Sequence, residues 1–97
     1  MNKLVKQFEG LFWFADLDKL SIIKDKNVII HQVLAYGTLA DFKKLVKLYG
    51  LKTVRQEFLK PQPGLYYPAI LNFCQYLLGV KKVNKERYLK NVYGNLL

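Results

Sequence analysis

The spacing of apolar residues along the chain is typical of short amphipathic helices. The clearest example is residues 26–36, where apolar side chains recur at helical intervals between Asp25 and Gly37. The run Val28-Ile29-Ile30 would also suit a strand, but the length of the segment and its terminal glycine favour a helix. With Asp25 as the predicted N-cap and Gly37 at the end, we expect this helix to be the central and most buried element.

Three more helices are predicted from the same combination of apolar spacing and end signals. Thr38 is a predicted cap, glycines close two of the helices, and a proline suits the first turn of another. The predicted helices are Leu39–Tyr49 before Gly50, Leu51 to about Leu59 before Pro61, and Pro68–Leu78 before Gly79.

Weaker signals predict helices at both ends of the chain. Asn2 is suited to cap Lys3–Glu9, and Asn84 to cap a basic C-terminal helix at about 84–93. Between residues 16 and 21, short polar side chains predict a loop or a short helix. The fold class that follows is all-α, a single compact domain over residues 1–97 with five or six short helices.

Composition supports a folded and basic domain. Of the 97 residues, 52% are apolar, which is enough to form a core, and the net charge is +9. The charge excess is larger in residues 51–97, and it favours an anionic partner. Cys74 is the only cysteine, and the apolar run at residues 11–15 is too short for a signal peptide or a membrane span. We therefore expect a cytoplasmic protein without a membrane partner.

The chain offers few residues for catalysis. His31 is the only histidine, and the interpretation favoured by its position is an ordinary, partly buried residue. Asp16-Leu17-Asp18 resembles the paired carboxylates that hold Mg²⁺ in nucleotidyl transfer, but neither a phosphate loop nor a third acid accompanies it. Capping of a loop is the favoured role for these acids. We predict no catalytic residue, no metal and no cofactor, and hence a protein that is not an enzyme.

Two surfaces are candidates for binding a partner protein, the alternatives being core packing, which is favoured for the aromatic residues, and a solvated face for the basic residues. One is aromatic and the other is the basic stretch near the C-terminus, and both residue classes are common at interfaces. The candidate residues are Phe12, Trp13, Phe14, Tyr66, Tyr67, Lys81, Lys82, Lys85 and Arg87.

DNA binding is the alternative, because residues 38–60 have the pattern of a helix-turn-helix hairpin. Leucines and a tyrosine fall where that motif packs its helices, namely Leu45, Tyr49, Leu51 and Leu59. Val46 and Gln56 depart from the pattern. The side chains offered to phosphates or bases are Lys52, Thr53, Arg55, Gln56 and Lys60.

The order of several short motifs resembles a small bacterial family. The motifs are Leu11-Phe12-Trp13, Asp16-x-x-x-Leu20, Ile29-Ile30-x-x-Val33-Leu34-x-Tyr36-Gly37, Asp41-Phe42-x-x-Leu45, Tyr49-Gly50 and Asn72-Phe73. They extend over about two thirds of the chain, and their specificity lies in order and spacing. The chain departs from the family pattern at Phe14, where an acid is common, whereas Phe42 keeps the aromatic character of a position that is often Trp.

The family that this chain resembles accompanies AbiE-type nucleotidyltransferase toxins in bacterial toxin–antitoxin pairs. The resemblance implies an antitoxin that neutralises such a toxin by direct protein–protein contact, and it implies no catalytic residues. The expected partner is therefore the cognate nucleotidyltransferase-fold toxin, with DNA as the partner in the alternative.

Overall fold

The computed structural model describes residues 6–13 and 15–90, which fold into helices joined by short connections. The four α-helices of these residues are α1 (Lys26–Tyr36), α2 (Leu39–Tyr49), α3 (Leu51–Phe58) and α4 (Pro68–Leu78). Single 3₁₀ turns occupy Glu9–Leu11, Leu17–Lys19 and Lys85–Arg87. The described ranges contain no strand, so the all-α class is confirmed, with four α-helices in place of the five or six predicted.

Helix α1 is the centre of the fold, as the sequence predicted. Its residues from Ile29 to Ala35 are all buried, and it contacts the other three α-helices and the turn Glu9–Leu11. Side chains from every α-helix and from both flanking segments join one apolar core, whose fully buried large members include Phe8, Phe12, Ile30, Leu45, Phe58, Tyr66 and Leu71. The predicted choice of helix over strand for residues 28–30 is correct.

The ends of α2 and α4 follow the predicted signals. The Thr38 hydroxyl accepts from the backbone N–H of Asp41, whose carboxylate accepts in return from the N–H of Thr38, forming a capping box. Pro68 occupies the first turn of α4, and Gly79 ends that helix in the left-handed conformation (φ 66°).

Asp25 occupies the predicted N-cap position of α1, but the expectation that its side chain caps the helix is wrong. Its carboxylate makes no capping bond to α1 and accepts instead from the backbone N–H of Ser21 at 2.8 Å. The Ser21 hydroxyl in turn accepts from the N–H of Lys24 at 3.1 Å. A reciprocally bonded turn therefore precedes α1 and uses the side chain that the sequence assigned to the helix.

The predicted C-terminal helix at 84–93 is also wrong over its described part. Only Lys85–Arg87 forms a 3₁₀ turn, and Leu89 then forms an isolated parallel bridge with Tyr66. The backbone N–H groups of Leu65 and Tyr66 both donate to the carbonyl of Tyr88, and the N–H of Lys90 donates to that of Tyr66. Pairing with a distant segment replaces the local helix.

The remaining end prediction, Lys3–Glu9, lies partly outside the described residues, as do residues 91–93 of the C-terminal prediction. Within the described part, the chain passes through the 3₁₀ turn Glu9–Leu11, so Gly10 does not end a helix there. Among the described residues, no helix is long and apolar enough to cross a membrane.

Candidate protein-binding site

A groove on the surface beside α1 brings together residues from three parts of the chain. Its walls are Trp13, one face of α1, and the loop between α3 and α4, and its volume is about 330 Å³. We call it the Trp13 groove and define it by Trp13, Val28, Gln32, Tyr36, Gln62, Pro63 and Leu65. Because the α1 members are spaced four residues apart, they share one face of that helix.

The two aromatic rings that line the groove, Trp13 and Tyr36, pack against each other. Trp13 is 68% exposed, and its ring packs edge-on against Tyr36 with 5.5 Å between centroids. An exposed tryptophan beside a concave apolar surface is typical of a protein interface. The groove therefore offers a ready anchor point for an apolar side chain of a partner.

Lys90 places a positive charge at the edge of the groove. Its ammonium nitrogen lies 5.3 Å from the ring centroid of Tyr36 and 4.9 Å from that of Tyr67, within cation–π range of both. The pKa of Lys90 is raised, first by its hydrogen bond with the Tyr36 side chain, so the group stays cationic. Tyr67 is 51% exposed and continues the aromatic surface beyond Lys90.

Polar contacts hold the groove walls in place. The Gln32 amide donates to the carbonyl of Leu11 at 2.7 Å and ties the segment leading to Trp13 onto α1. On the opposite wall, the Gln62 amide donates to the side-chain oxygen of Asn27. The bridge between Tyr66 and Leu89 fixes the position from which Lys90 reaches the rings.

In the core, His31 is fully buried and both of its ring nitrogens are hydrogen bonded. Nε2 lies 2.8 Å from the carbonyl oxygen of Glu57 and 2.7 Å from that of Lys60. Since carbonyl oxygens only accept, the proton resides on Nε2, and Nδ1 accepts from the Tyr66 hydroxyl at 2.7 Å. Burial lowers the pKa of His31, against the opposing effect of the two carbonyls and Glu57. His31 is thus a neutral structural residue, more deeply buried than predicted.

Glu57 is a buried acid that anchors the end of α3. Its carboxylate accepts from the Asn27 amide at 3.2 Å and pairs with Lys60 at 3.2 Å and with Lys26 at 3.8 Å. Burial works to raise the pKa of Glu57, but the hydrogen bonds from Asn27 and Lys60 outweigh it, so the pKa is lowered. The Tyr88 hydroxyl donates to the carbonyl of Phe58 at 2.8 Å. Side chains from distant segments therefore bond the carbonyls at this helix end that have no partner within the helix.

The structure divides the predicted partner-binding residues into two groups. Phe12 and Tyr66 are core residues, 2% and 0% exposed, and are corrected accordingly, because a buried ring cannot meet a partner. Trp13 and Tyr67 lie at the surface around the groove, whereas Phe14 is outside the described residues. The basic residues of the set are all exposed and form what we call the basic segment, Lys81, Lys82, Lys85 and Arg87.

The hairpin considered for DNA binding is present as two packed helices, but its turn is shorter than the turn of a helix-turn-helix motif. Gly50 alone joins α2 to α3, in a conformation with φ of 85°. Leu51 and Leu59, which should pack between the helices, are 46% and 52% exposed. The outer face of α3 therefore combines exposed leucines with polar side chains, and it consists of Leu51, Lys52, Arg55, Gln56 and Leu59.

Two DNA-contact candidates differ from the rest in their placement. Thr53 is half-buried, and the ammonium of Lys60 is paired with Glu57. Lys52, Arg55 and Gln56 are exposed. Only these three of the five present their side chains on the outer face of α3.

The acids considered for metal binding have a local structural role. The carboxylate of Asp16 accepts from the backbone N–H of Asp18 at 3.0 Å and caps the turn Leu17–Lys19, as predicted. The described residues contain no group of three or more His, Cys, Asp or Glu side chains that could hold a metal ion. Burial raises the pKa of the Cys74 thiol to about 12, which makes it a weak nucleophile.

Sequence reasoning missed Tyr36 and Lys90 as site residues. Lys90 is 54 positions from Tyr36, and no local pattern marks their meeting. The Glu57 anchor did leave a signal, since an acid three residues after Val54 and next to Phe58 falls on the apolar face of α3. Such an acid needs buried partners.

Comparison with known proteins gives one assignment. Neither the curated proteins nor the solved structures contain a match to this chain. Residues 8–58, just over half of the chain, match a family whose description is "Family of unknown function (DUF6922)". The matched region begins at the core residue Phe8, includes Trp13 and Tyr36 of the groove, and ends with α3. The chain belongs to the Family of unknown function (DUF6922).

Proposed function

We propose that this protein is an antitoxin that neutralises a nucleotidyltransferase-fold toxin by direct contact. The choice of a toxin as the partner comes from the resemblance in motif order. The geometry supports the other half of the proposal, which is direct contact with a partner protein. The observation that carries it is the Trp13 groove, where an exposed tryptophan and Tyr67 flank a concave apolar surface. Tryptophan and tyrosine are the residues that most often anchor protein–protein interfaces.

The motifs behind the resemblance contain residues that the core does not need. Ile29, Ile30 and Val33 are buried, so packing in the core accounts for their presence in the motifs. Trp13 belongs to the first motif and yet stands 68% exposed against Tyr36 of the third. An exposed Trp13 ring, packed on the half-buried ring of Tyr36, supports a binding role for these motifs.

The charge of the protein suits the proposed target. A nucleotidyltransferase holds its Mg²⁺ with a group of carboxylates, and such a site attracts a protein of charge +9. Placing the antitoxin across the entrance would deny nucleotide or RNA access to the toxin. In this arrangement the basic segment increases the association rate, while the groove slows dissociation.

The test is co-expression with the product of the adjacent gene, in cells where that gene alone stops growth. We expect restored growth and a stoichiometric complex on purification. Trp13→Ala should weaken the complex by about tenfold or more, because interface tryptophans are frequent hot spots. Tyr76→Ala is the matched control, since Tyr76 is an even more exposed aromatic residue on α4 that does not line the groove. Rescue without a complex would overturn direct contact.

A second candidate function is DNA binding through the outer face of α3. It is favoured by one observation, the exposure of Lys52, Arg55 and Gln56 on the same helix. These side chains can contact phosphates and base edges. Two observations count against this candidate, namely the single-residue turn at Gly50 and the exposure of Leu51 and Leu59.

Fluorescence anisotropy with a duplex from the gene's own promoter tests this candidate. Binding through Lys52 and Arg55 should weaken with salt, and removing both charges should reduce the slope of log affinity against log salt by about 2. The control is Lys43→Ala with Lys47→Ala, which removes the same charge from the exposed side of α2. Equal losses from both pairs would indicate unspecific attraction and no role for the α3 face.

A further inference from the structure

We infer that the Trp13 groove binds an acidic peptide segment, with an apolar side chain inside the groove and a neighbouring carboxylate on Lys90. This inference rests on the proposed function, because it specifies what the partner presents to the site. It also makes a prediction about binding that needs no toxin.

The inside of the groove suits an apolar side chain. Val28, Pro63 and Leu65 contribute aliphatic surface, and Trp13 and Tyr36 contribute rings. A volume of about 330 Å³ is at the small end of ligand sites and accommodates one or two side chains, not a folded domain. The glutamines in the wall supply polar groups close to where a peptide backbone would pass.

The charge at the edge selects the partner. The groove lining contains no acidic residue, and Lys90 stands over Tyr36 and Tyr67. Among the described residues, ion pairs within 4.0 Å join Glu57 to Lys26 and Lys60, and none involves Lys90. A carboxylate that approaches the rings would therefore meet a cation without displacing a carboxylate of residues 6–13 or 15–90. This complementarity favours an acidic segment over a basic or neutral one.

Peptide titration followed by NMR tests this inference on the full chain. The probes are acetylated and amidated pentapeptides, Gly-Leu-Glu-Glu-Gly, its Lys-Lys counterpart, and a Ser-Glu-Glu version that lacks the apolar side chain. Trp13 is the only tryptophan, so its indole N–H signal is unambiguous. We expect the Leu-Glu-Glu peptide to shift this signal and to bind about three- to fivefold more tightly than the Lys-Lys peptide, the range of an exposed ion pair. The Ser-Glu-Glu peptide should also bind more weakly, because it places no apolar side chain in the groove.

Charge reversal gives the decisive variant. Lys90→Glu should reverse the preference, so that the Lys-Lys peptide binds better than the Glu-Glu peptide. Lys43→Glu is the matched control, because it makes the same change of charge on an exposed residue of α2 and should leave the preference intact. Lys90→Gln, which should abolish the preference without reversing it, keeps the test valid if the reversed charge impairs folding. An unchanged preference in both Lys90 variants would overturn the inference.

Other outcomes separate this inference from the antitoxin proposal. If the toxin binds the wild-type chain and the Lys90 variants equally well, the acidic-segment inference fails and the antitoxin proposal stands. If the peptides behave as expected but no toxin complex forms, the antitoxin proposal fails and the groove specificity stands. Nuclear Overhauser contacts from the Trp13 indole to the methyl groups of Leu96 or Leu97 in the free protein would assign the groove to the chain's own C-terminal residues and overturn the inference.

Discussion

Both ring nitrogens of His31 have partners in the core, so this residue tests how much a buried hydrogen-bond network stabilises the fold. Replacing it with Phe keeps a ring of similar shape but leaves the Tyr66 hydroxyl without its acceptor and removes a donor to two carbonyls. We expect a loss of about 2–4 kcal/mol in the free energy of unfolding, the range for orphaned buried polar groups. Urea titration measures it.

Tyr66→Phe provides the comparison within the same network. It removes the hydroxyl that His31 accepts from, and we expect a loss of about 1–2 kcal/mol. Because the two side chains bond each other at 2.7 Å, the double variant should lose less than the sum of the single losses. Additive losses would indicate that the bond contributes nothing to stability.

The same histidine makes stability depend on pH in a defined window. Burial lowers the pKa of His31 below 6.5, so as pH falls through 6.5 the unfolded chain takes up a proton before the folded one does. The contribution of the neutral ring is therefore complete above pH 6.5 and decreases from there down to the folded pKa. Below about pH 4.5, protonation of Glu57, whose pKa is also lowered, removes further stability.

Unfolding free energy measured by urea titration from pH 8 to pH 5 tests this dependence. We expect the wild type to lose stability on acidification, with most of the loss below pH 6.5. His31 is the only histidine, so the slope should disappear in His31→Phe. A slope that persists in that variant would assign the effect to other groups.

At the scale of elements, the tight corner between α1 and α2 requires glycine for space. Gly37 has an ordinary backbone conformation (φ −80°), but a Cβ there would lie 2.6 Å from the carbonyl oxygen of Val33 and 2.9 Å from the Cβ of Asp41. Gly37→Ala should destabilise the protein by about 1–3 kcal/mol, as overpacking does. Gly10→Ala, where a Cβ meets nothing within 4 Å, should change stability by less than about 0.5 kcal/mol. Thermal unfolding of the two variants compares them, and equal effects would contradict a steric cause.

The sequence predicted the bounds of a helix correctly where residues at its ends, such as a capping threonine, a proline or a glycine, mark them. The bounds of α1 and α4 match the prediction residue for residue, and α2 begins after its predicted cap, Thr38. Failure occurred where long-range contacts compete with local preference. Residues 84–90 have a helical pattern, yet burial of Tyr88 against Phe58 and pairing with Tyr66 stop the helix after the single turn Lys85–Arg87.

Long-range contacts also explain why the sequence predicted only part of the candidate site. Aromatic residues such as Trp13 and Phe12 are adjacent in the chain, and no pattern says which one enters the core. The partnership of Tyr36 with Lys90 depends on the bridge between Leu89 and Tyr66, which are far apart in the sequence. The tautomer and burial of His31 likewise follow from the end of α3 and not from its neighbours in α1.

At the scale of the whole molecule, the basic segment should govern the rate of association with an acidic partner. Replacing Lys81, Lys82, Lys85 and Arg87 with Glu changes the charge by two at each position, so the net charge falls from +9 to +1. Lys85 donates to the side chain of Asn72, but all four residues are exposed, and the fold does not depend on them. The variant therefore isolates electrostatics from stability.

We expect the association rate of this variant with the toxin to fall by about tenfold or more at low salt. The difference from wild type should shrink as ionic strength rises, because the Debye length decreases to about 8 Å at 0.15 M and 3 Å at 1 M. Stopped-flow fluorescence of Trp13 at several salt concentrations follows the reaction. The same four positions changed to Gln should give an intermediate rate, since the charge is then removed but not reversed. If the Glu variant associates at the wild-type rate in low salt, long-range attraction has no part in recognition, and the groove alone must account for it.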